Sequence, residues 1–344
     1  MTGKAPSVPA SLSSYSEAVQ AEMRSVLKGR EGPLYTMVRY HLGWTDRDGK
    51  PETGEAGKGL RSTLCLLSAE AAGGQAATVL PAAAALELVH NFSLVHDDIQ
   101  DQSPERHHRS TVWRVFGEAQ AINAGDALFA LARLALLRLT APAELTSRLC
   151  GLLDEACLRL CEGQQMDLAF QDRDEVAVDD YLAMIEGKTG ALIATACQIG
   201  AALGSPDRSL ETQFREAGRQ LGLAFQIRDD VLGIWGSASS LGKPVMEDVW
   251  ERKKSLPVVV GLQRAVGADR RELLDVYTGR GPLDGRQVER VVALLDDLGA
   301  REQCQSAASE HASQAVETIR KTGCDNEASD RLIELAQFAA EREY

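Results

Sequence analysis

Two acidic clusters dominate the chemistry this chain can offer. The first is Leu94-Val95-His96-Asp97-Asp98-Ile99-Gln100-Asp101, with three carboxylates in five residues at the end of an apolar run. Asp97 and Asp101 are four apart, so on a helix they share one face, where like charges repel. A hard, oxygen-ligated divalent cation reverses the sign of that interaction. The second cluster is Phe225-Gln226-Ile227-Arg228-Asp229-Asp230, which also closes an apolar run and puts Gln226 one turn before Asp230. Two acidic helix ends suit Mg²⁺, whose octahedral shell is completed by waters and ligand phosphates. One such cluster reads equally well as a solvated helix end; the pair is what points to metal.

Cations follow the same logic. Lys58 and Arg61 are three apart in Gly57-Lys58-Gly59-Leu60-Arg61, where a helix opens. A helix N-terminus already favours anions. Arg106, His107, His108 and Arg109 come directly after the first acidic cluster, and Lys188-Thr189 and Lys243 are further candidates. Each alone reads as a surface charge; together they read as a holder for phosphate. No convincing Ser-His-Asp or Cys-His nucleophile is present.

The elements that must position these groups are helical. Apolar residues make up 44% of the 344, only 5% are aromatic, and Ala and Leu dominate, which favours helices over strands. Long helices are expected over Val79–Asp101, Val112–Leu139, Ala143–Phe170, Tyr181–Leu203 and Ser209–Trp235, with breakers between them. Thr45 to Gly57 and Gly236 to Ser255 read as loops, and shorter helices follow Leu256. The one β-branched triplet, Val258 to Val260, follows Pro257, and a proline in the first turn of a helix explains it as well as a strand does. The expected architecture is all-α, one large bundle over residues 1–344 with 1–13 flexible. A net charge of −13, from 37 basic and 50 acidic residues, argues against nucleic acid as a partner. Seven cysteines without a CxxC pair fit a reducing cytoplasm. The N-terminal stretch has no apolar core of a secretion signal. Smooth apolar stretches such as Gly190 to Gly204 are shorter than a transmembrane span.

With these residues in order, the chain resembles the trans-isoprenyl diphosphate synthases, or polyprenyl synthetases, from about Leu34 to the C-terminal helices. Gly57-Lys58-Gly59-Leu60-Arg61-Ser62 is similar to the family's GK-x-x-RP element. Asp97-Asp98-Ile99-Gln100-Asp101 matches the first aspartate-rich motif, DDxxD. Arg106 falls at the first position of the following Arg pair. Gly163-Gln164 with Asp167 resembles GQ-x-x-D, Gly187-Lys188-Thr189 the KT element, and Phe225 to Asp230 the second aspartate-rich motif. Lys243 and Lys253 fall where later lysines are expected. A lone DDxxD is weak; this ordered series is specific.

The resemblance implies long helices around a central cavity, a homodimer, and three Mg²⁺ ions bridging the two motifs and an allylic diphosphate. It implies metal binding by Asp97, Asp101 and Asp229, assisted by Asp98 and Asp230. Arg106, Lys188 and Lys243 would hold the allylic diphosphate, with Thr189, Gln226 and Lys253 beside them. Lys58, Arg61, His90 and His107 would hold isopentenyl diphosphate. The reaction implied is head-to-tail condensation. A product of about twenty carbons is expected, because Phe92, five before Asp97, is bulky while Ser93 is small.

The chain also departs from the pattern. Gly233 stands where the second motif has an Asp, Ser62 and Ser110 replace prolines, and His107 replaces the second Arg. The altered cation set leaves open a terpene cyclase or a prenyltransferase using another acceptor. A non-catalytic partner subunit is a third possibility, against which stand the retained aspartate pairs.

Overall fold

The Ala- and Leu-rich composition is realised as helix almost throughout. The computed structural model describes residues 14–52, 59–236 and 246–342. In chain order the helices are α1 (Ser16–Val26), α2 (Pro33–His41), α3 (Leu60–Ala71), α4 (Ala76–Gln100), α5 (Val112–Phe116), α6 (Glu118–Leu136), α7 (Ala143–Gln171), α8 (Val178–Ile185), α9 (Ala191–Gly204) and α10 (Arg208–Trp235). They continue with α11 (Glu247–Trp250), α12 (Leu256–Arg264), α13 (Gly267–Thr278), α14 (Gly285–Asp297), α15 (Ala300–Lys321) and α16 (Glu327–Glu341). Among the described residues the strands are β1 (Glu105–Arg106) and β2 (Arg109–Ser110), one antiparallel hairpin. Residues 1–13, Lys58 and Lys243 lie outside the described residues.

The described residues form two compact units. The first comprises 14–52, 59–154 and 196–211, and the second 155–195, 212–236 and 246–342. In the first, α4 packs against α1, α3 and α6. Ala82 to Leu86, Leu88 and Val89 are completely buried along it. Small side chains let its neighbours approach closely, and each buried Leu or Val contributes about 1.5–3 kcal/mol. Contrary to the expectation that apolar stretches are too short, α4 is long and apolar enough to cross a membrane. However, 67% of that apolar window is buried inside the protein, as in the core helix of a globular unit.

In the second unit, α12 packs against α8, α13, α14 and α15. Val258, Val259 and Val260 lie in this helix and are buried, with Pro257 in its first turn. The β-branched triplet is therefore helical, and tertiary burial outweighs its β propensity.

Three local expectations are corrected. The stretch Val112–Leu139 is two helices, α5 and α6, because Gly117 takes φ 90° and ψ 154° between them. The stretch Tyr181–Leu203 is interrupted by a π-helical turn at Glu186–Gly190. The presumed loop Gly236 to Ser255 contains α11.

Candidate active site

The first acidic cluster closes α4. Asp97 is half-buried, Asp98 buried and Asp101 exposed as the C-terminal cap, with its N–H donating to the Asp97 carbonyl at 2.8 Å. Asp97 and Asp101 are thus one helical turn apart, as their spacing predicts. Arg106 donates to Asp98 Oδ1 through Nε at 2.9 Å and lies 2.8 Å from it through a terminal nitrogen. Oδ2 of Asp98 is buried and has no hydrogen-bond partner among the described residues. Burial pushes the Asp98 carboxyl above its usual range, and the Arg106 guanidinium opposes that shift.

A tight hairpin delivers Arg106. Arg106 pairs with Arg109, and His107 and His108 form the turn between them with φ of 50° and 58°. Two left-handed residues suit the twist of a two-residue hairpin, although that conformation is uncommon for side chains other than Asn, Asp or Gly. Arg109 is engaged elsewhere. It donates to the carbonyls of Tyr40 and Thr45 and to Glu52, at 2.9, 3.0 and 2.9 Å. His107 stays exposed at the turn.

Around His90 the first unit gathers positive groups. Burial is the main cause that holds this imidazole far below its usual pKa, and Arg61, Arg106, His41 and His107 each add to it. His41, which sequence reasoning missed, is lowered to about 3 by burial and then by Arg106, with an Asn91 hydrogen bond opposing. Both imidazoles are therefore neutral at physiological pH. Ser62, where a Pro is usual, donates its backbone N–H to buried Glu87 at 3.0 Å. A proline could not make that bond. Phe92 is buried against Phe129, with ring centroids 5.0 Å apart, and against His96 at 5.3 Å. Ser93 is buried, and its hydroxyl donates to the His90 carbonyl.

In the second unit the π-turn places Lys188 and Thr189. Lys188 Nζ donates to Asp167 at 2.6 Å. Thr189 donates to Gln226 at 2.8 Å, and Gln226 to Asp230 Oδ1 at 3.1 Å. Gly163 is what allows this approach, because a Cβ there would lie 2.2 Å from the Lys188 backbone nitrogen. Asp230 is buried and accepts from the Tyr181 hydroxyl at 2.5 Å and the Leu256 N–H at 3.1 Å. Lys253 has its charged form stabilised by Asp248 above all, then by Asp230, Asp167 and Asp229.

Gly233 acquires a physical reason. A Cβ at 233 would sit 2.4 Å from Asp248 Oδ2, so the carboxylate of Asp248 fills the space a side chain at 233 would take. Asp248 lies in the stretch read as a loop, and Tyr181 carries no motif, so neither was singled out in advance. The only sequence signal for Asp248 was the missing side chain at 233.

All the acidic donors are carboxylate oxygens, and one of them, on Asp98, is buried without a partner; this chemistry fits a hard divalent cation. Among the described residues no group of three or more His, Cys, Asp or Glu forms a ready-made metal cage. A cation here therefore needs oxygens from water or a ligand, as Mg²⁺ usually does.

Paired aspartates within or just after the last two turns of α4 and α10, each with arginine or lysine nearby, are suited to holding a diphosphate through a divalent cation. Residues 51–295 match the polyprenyl synthetase family. The chain is 40% identical over 320 residues to a geranylgeranyl diphosphate synthase of Mycobacterium tuberculosis, covering 93% of this chain and 89% of that one. It is 37% identical over 330 residues to a (2E,6E)-farnesyl diphosphate synthase of the same organism, covering 95% and 91%. The crystal structure of a polyprenyl synthetase from Streptomyces coelicolor superposes with a TM-score of 0.90 at 38% identity, covering 96% and 98%. A polyprenyl synthase from Caulobacter crescentus, complexed with calcium and isoprenyl diphosphate, superposes at 0.84 with 26% identity, covering 99% and 100%. The chain belongs to the polyprenyl synthetase family: it is a prenyltransferase with the all-α isoprenoid synthase type I fold.

One electrostatic consequence is measurable without substrate. Burial raises Asp230 from 3.8 to about 6, with Lys253 opposing. The folded protein then keeps a proton that the unfolded chain has released, so this group's contribution to stability falls as pH rises from about 4 to about 6. Asp230→Asn removes that dependence and keeps an acceptor for Tyr181. In metal-free buffer the melting temperature of the variant is expected to gain on the native protein between pH 4 and 7. The gain should correspond to at most about 3 kcal/mol. Parallel pH profiles would show that Asp230 is not held protonated by its surroundings.

Proposed function

We propose that this enzyme lengthens an allylic prenyl diphosphate by head-to-tail condensation with isopentenyl diphosphate and releases mainly the twenty-carbon geranylgeranyl product. The observation that carries the reading is the two acidic pairs, Asp97 in the last turn of α4 with its cap Asp101, and Asp229 with Asp230 in the last two turns of α10, each accompanied by cations.

The proposed metal ligands are Asp97, Asp101 and Asp229, with Asp98 and Asp230 assisting and Mg²⁺, three ions, as the metal. Bound Mg²⁺ supplies Lewis-acid neutralisation of the diphosphate leaving group. Arg106, Lys188 and Lys243 hold the allylic diphosphate and stabilise the charge that grows on it as the C–O bond breaks. Arg106 is oriented by Asp98, Lys188 by Asp167. Thr189 and Gln226 orient the second acidic end, and Lys253 balances its charge. Lys58, Arg61, His90 and His107 hold isopentenyl diphosphate. The neutral imidazole of His90 serves as a hydrogen-bonding group beside the permanently charged Arg61. Apolar side chains exclude water from the allylic cation until the double bond of isopentenyl diphosphate attacks it. The proton then lost goes to the released diphosphate. The exposed apolar residues Ile122 and Leu134 of α6, 47% and 42% accessible, support a homodimer. A cytoplasmic location fits the cysteine pattern.

The test is incubation of the purified chain with Mg²⁺, an allylic diphosphate and labelled isopentenyl diphosphate. A longer diphosphate supports elongation. A hydrocarbon or other adduct without isopentenyl incorporation would transfer the assignment to a cyclase or to another acceptor. In the same assay Asp97→Ala and Asp101→Ala are expected to lower turnover by at least about 10²–10³-fold. Their circular dichroism should be unchanged, because removing one of several like charges does not destabilise the metal-free protein. Near-native turnover in either variant would sink the metal assignment.

Product length depends on Phe92 in this reading. Held between Phe129 and His96, its ring forms a fixed floor for the growing chain. Phe92→Ala should shift the products to more than twenty carbons. An unchanged product profile would remove Phe92 from that role, and a native main product of fifteen or twenty-five carbons would defeat the assigned length.

A further inference from the structure

Asp229, given to a divalent cation in the reading above, already holds a different cation in the structure. A terminal nitrogen of Arg342 lies 2.5 Å from Asp229 Oδ1 and donates to the Phe225 carbonyl at 3.0 Å. The guanidinium carbon stands 3.8 Å from the centre of the Phe225 ring. Arg342 is only 4% exposed. Its backbone is fastened as well, since Arg228 Nε donates to the Arg342 carbonyl at 2.7 Å. One residue thus clamps the last turns of α10 at the second aspartate pair.

The charges around it make the clamp necessary when no metal is bound. Asp167, Asp229, Asp230 and Asp248 all act on Lys253. Asp167 is met by Lys188, and Asp230 by Tyr181 and the Leu256 N–H. Asp229 is met by Arg342. An arginine stays charged at any accessible pH, so it cannot give up Asp229 by losing a proton. It can only move. A guanidinium and a divalent ion on one carboxylate repel, a repulsion that the partial exposure of Asp229 moderates. Movement is local: α16 ends at Glu341, and Arg342 itself has ψ of 146°, outside the helix. Its guanidinium can leave as the last turn of the helix, closed by the Arg342 N–H to the Phe338 carbonyl, frays with it, an opening of the low-cost kind.

We propose that Arg342 is a positioning residue for prenyl transfer, a tethered cation that holds the Asp229 carboxylate in the metal's stead and is displaced when metal and diphosphate bind. This rests on the assignment of Asp229 to metal.

The test uses the full chain, Mn²⁺ as a spectroscopic stand-in for Mg²⁺, and inorganic pyrophosphate. Binding is followed by electron paramagnetic resonance in the native protein, Arg342→Gln, Arg342→Lys and Asp229→Ala. Removing the competitor should tighten Mn²⁺–pyrophosphate binding by roughly three- to tenfold, a partly exposed ion pair being worth no more. Arg342→Lys should fall between the native protein and Arg342→Gln, and Asp229→Ala should lose affinity. In the native chain, amide hydrogen exchange at residues 338–342 should speed up when Mg²⁺ and pyrophosphate are added together. That measurement decides the matter alone if Arg342→Gln does not fold. Equal affinity in native and Arg342→Gln, or unchanged exchange at 338–342, overturns the inference while leaving the metal assignment intact. Native binding that does not depend on Asp229 overturns the assignment and the inference together.

Discussion

Repulsion among carboxylates gathered in and beside the last two turns of α4 and α10 is the constraint the structure has to meet. Buried apolar side chains on each helix fix its place in its own unit, so these acids cannot spread apart to relieve it. The structure meets the cost residue by residue. Arg106 sits on Asp98, Lys188 on Asp167 and Arg342 on Asp229. Asp230 is met differently: burial favours its protonated form, and Lys253 with hydrogen bonds from Tyr181 and the Leu256 N–H favours the carboxylate. Guanidinium and ammonium groups suit diphosphate as well as carboxylate, so the proposed function asks one set of residues to serve before and after binding.

Departures from the family pattern have local physical reasons. Gly233 leaves room for Asp248, so an acid remains beside the second pair although the motif lacks one. Ser62 gains a backbone donor that a proline lacks and uses it on buried Glu87. At the hairpin, Arg109 is committed to the Tyr40 and Thr45 carbonyls and to Glu52, so it does not replace the guanidinium missing at His107.

What was legible in the sequence followed from short-range periodicity. The apolar run ending in Asp97, Asp98 and Asp101 could only be a helix with acids on its last turn, and α4 is that helix. Pro257 left a helix start and a strand equally open through a rule that concerns one turn, and the structure has the helix. What was not legible depended on contacts between distant positions. Asp248 fills the space over Gly233 from a stretch whose composition reads as loop. Arg342 reaches Asp229 across 113 positions, and Tyr181 reaches Asp230 across 49. The break at Gly117 and the π-turn at Glu186–Gly190 escaped for another reason: helical apolar stretches flank both, and backbone geometry is what separates them. Lys58 and Lys243 lie outside the described residues, so their roles rest on the motifs alone.

The central claim is that the acidic helix ends and the cations beside them bind metal and diphosphate as mutual counter-charges. Its most direct test is the melting temperature of the native chain with Mg²⁺ alone, inorganic pyrophosphate alone, and both. Ligands that bind only the folded state raise that temperature by mass action. The account predicts little change with either alone and a rise of several degrees with both, abolished in Asp97→Ala. An equal rise with pyrophosphate alone, or a joint rise that survives in Asp97→Ala, would contradict it.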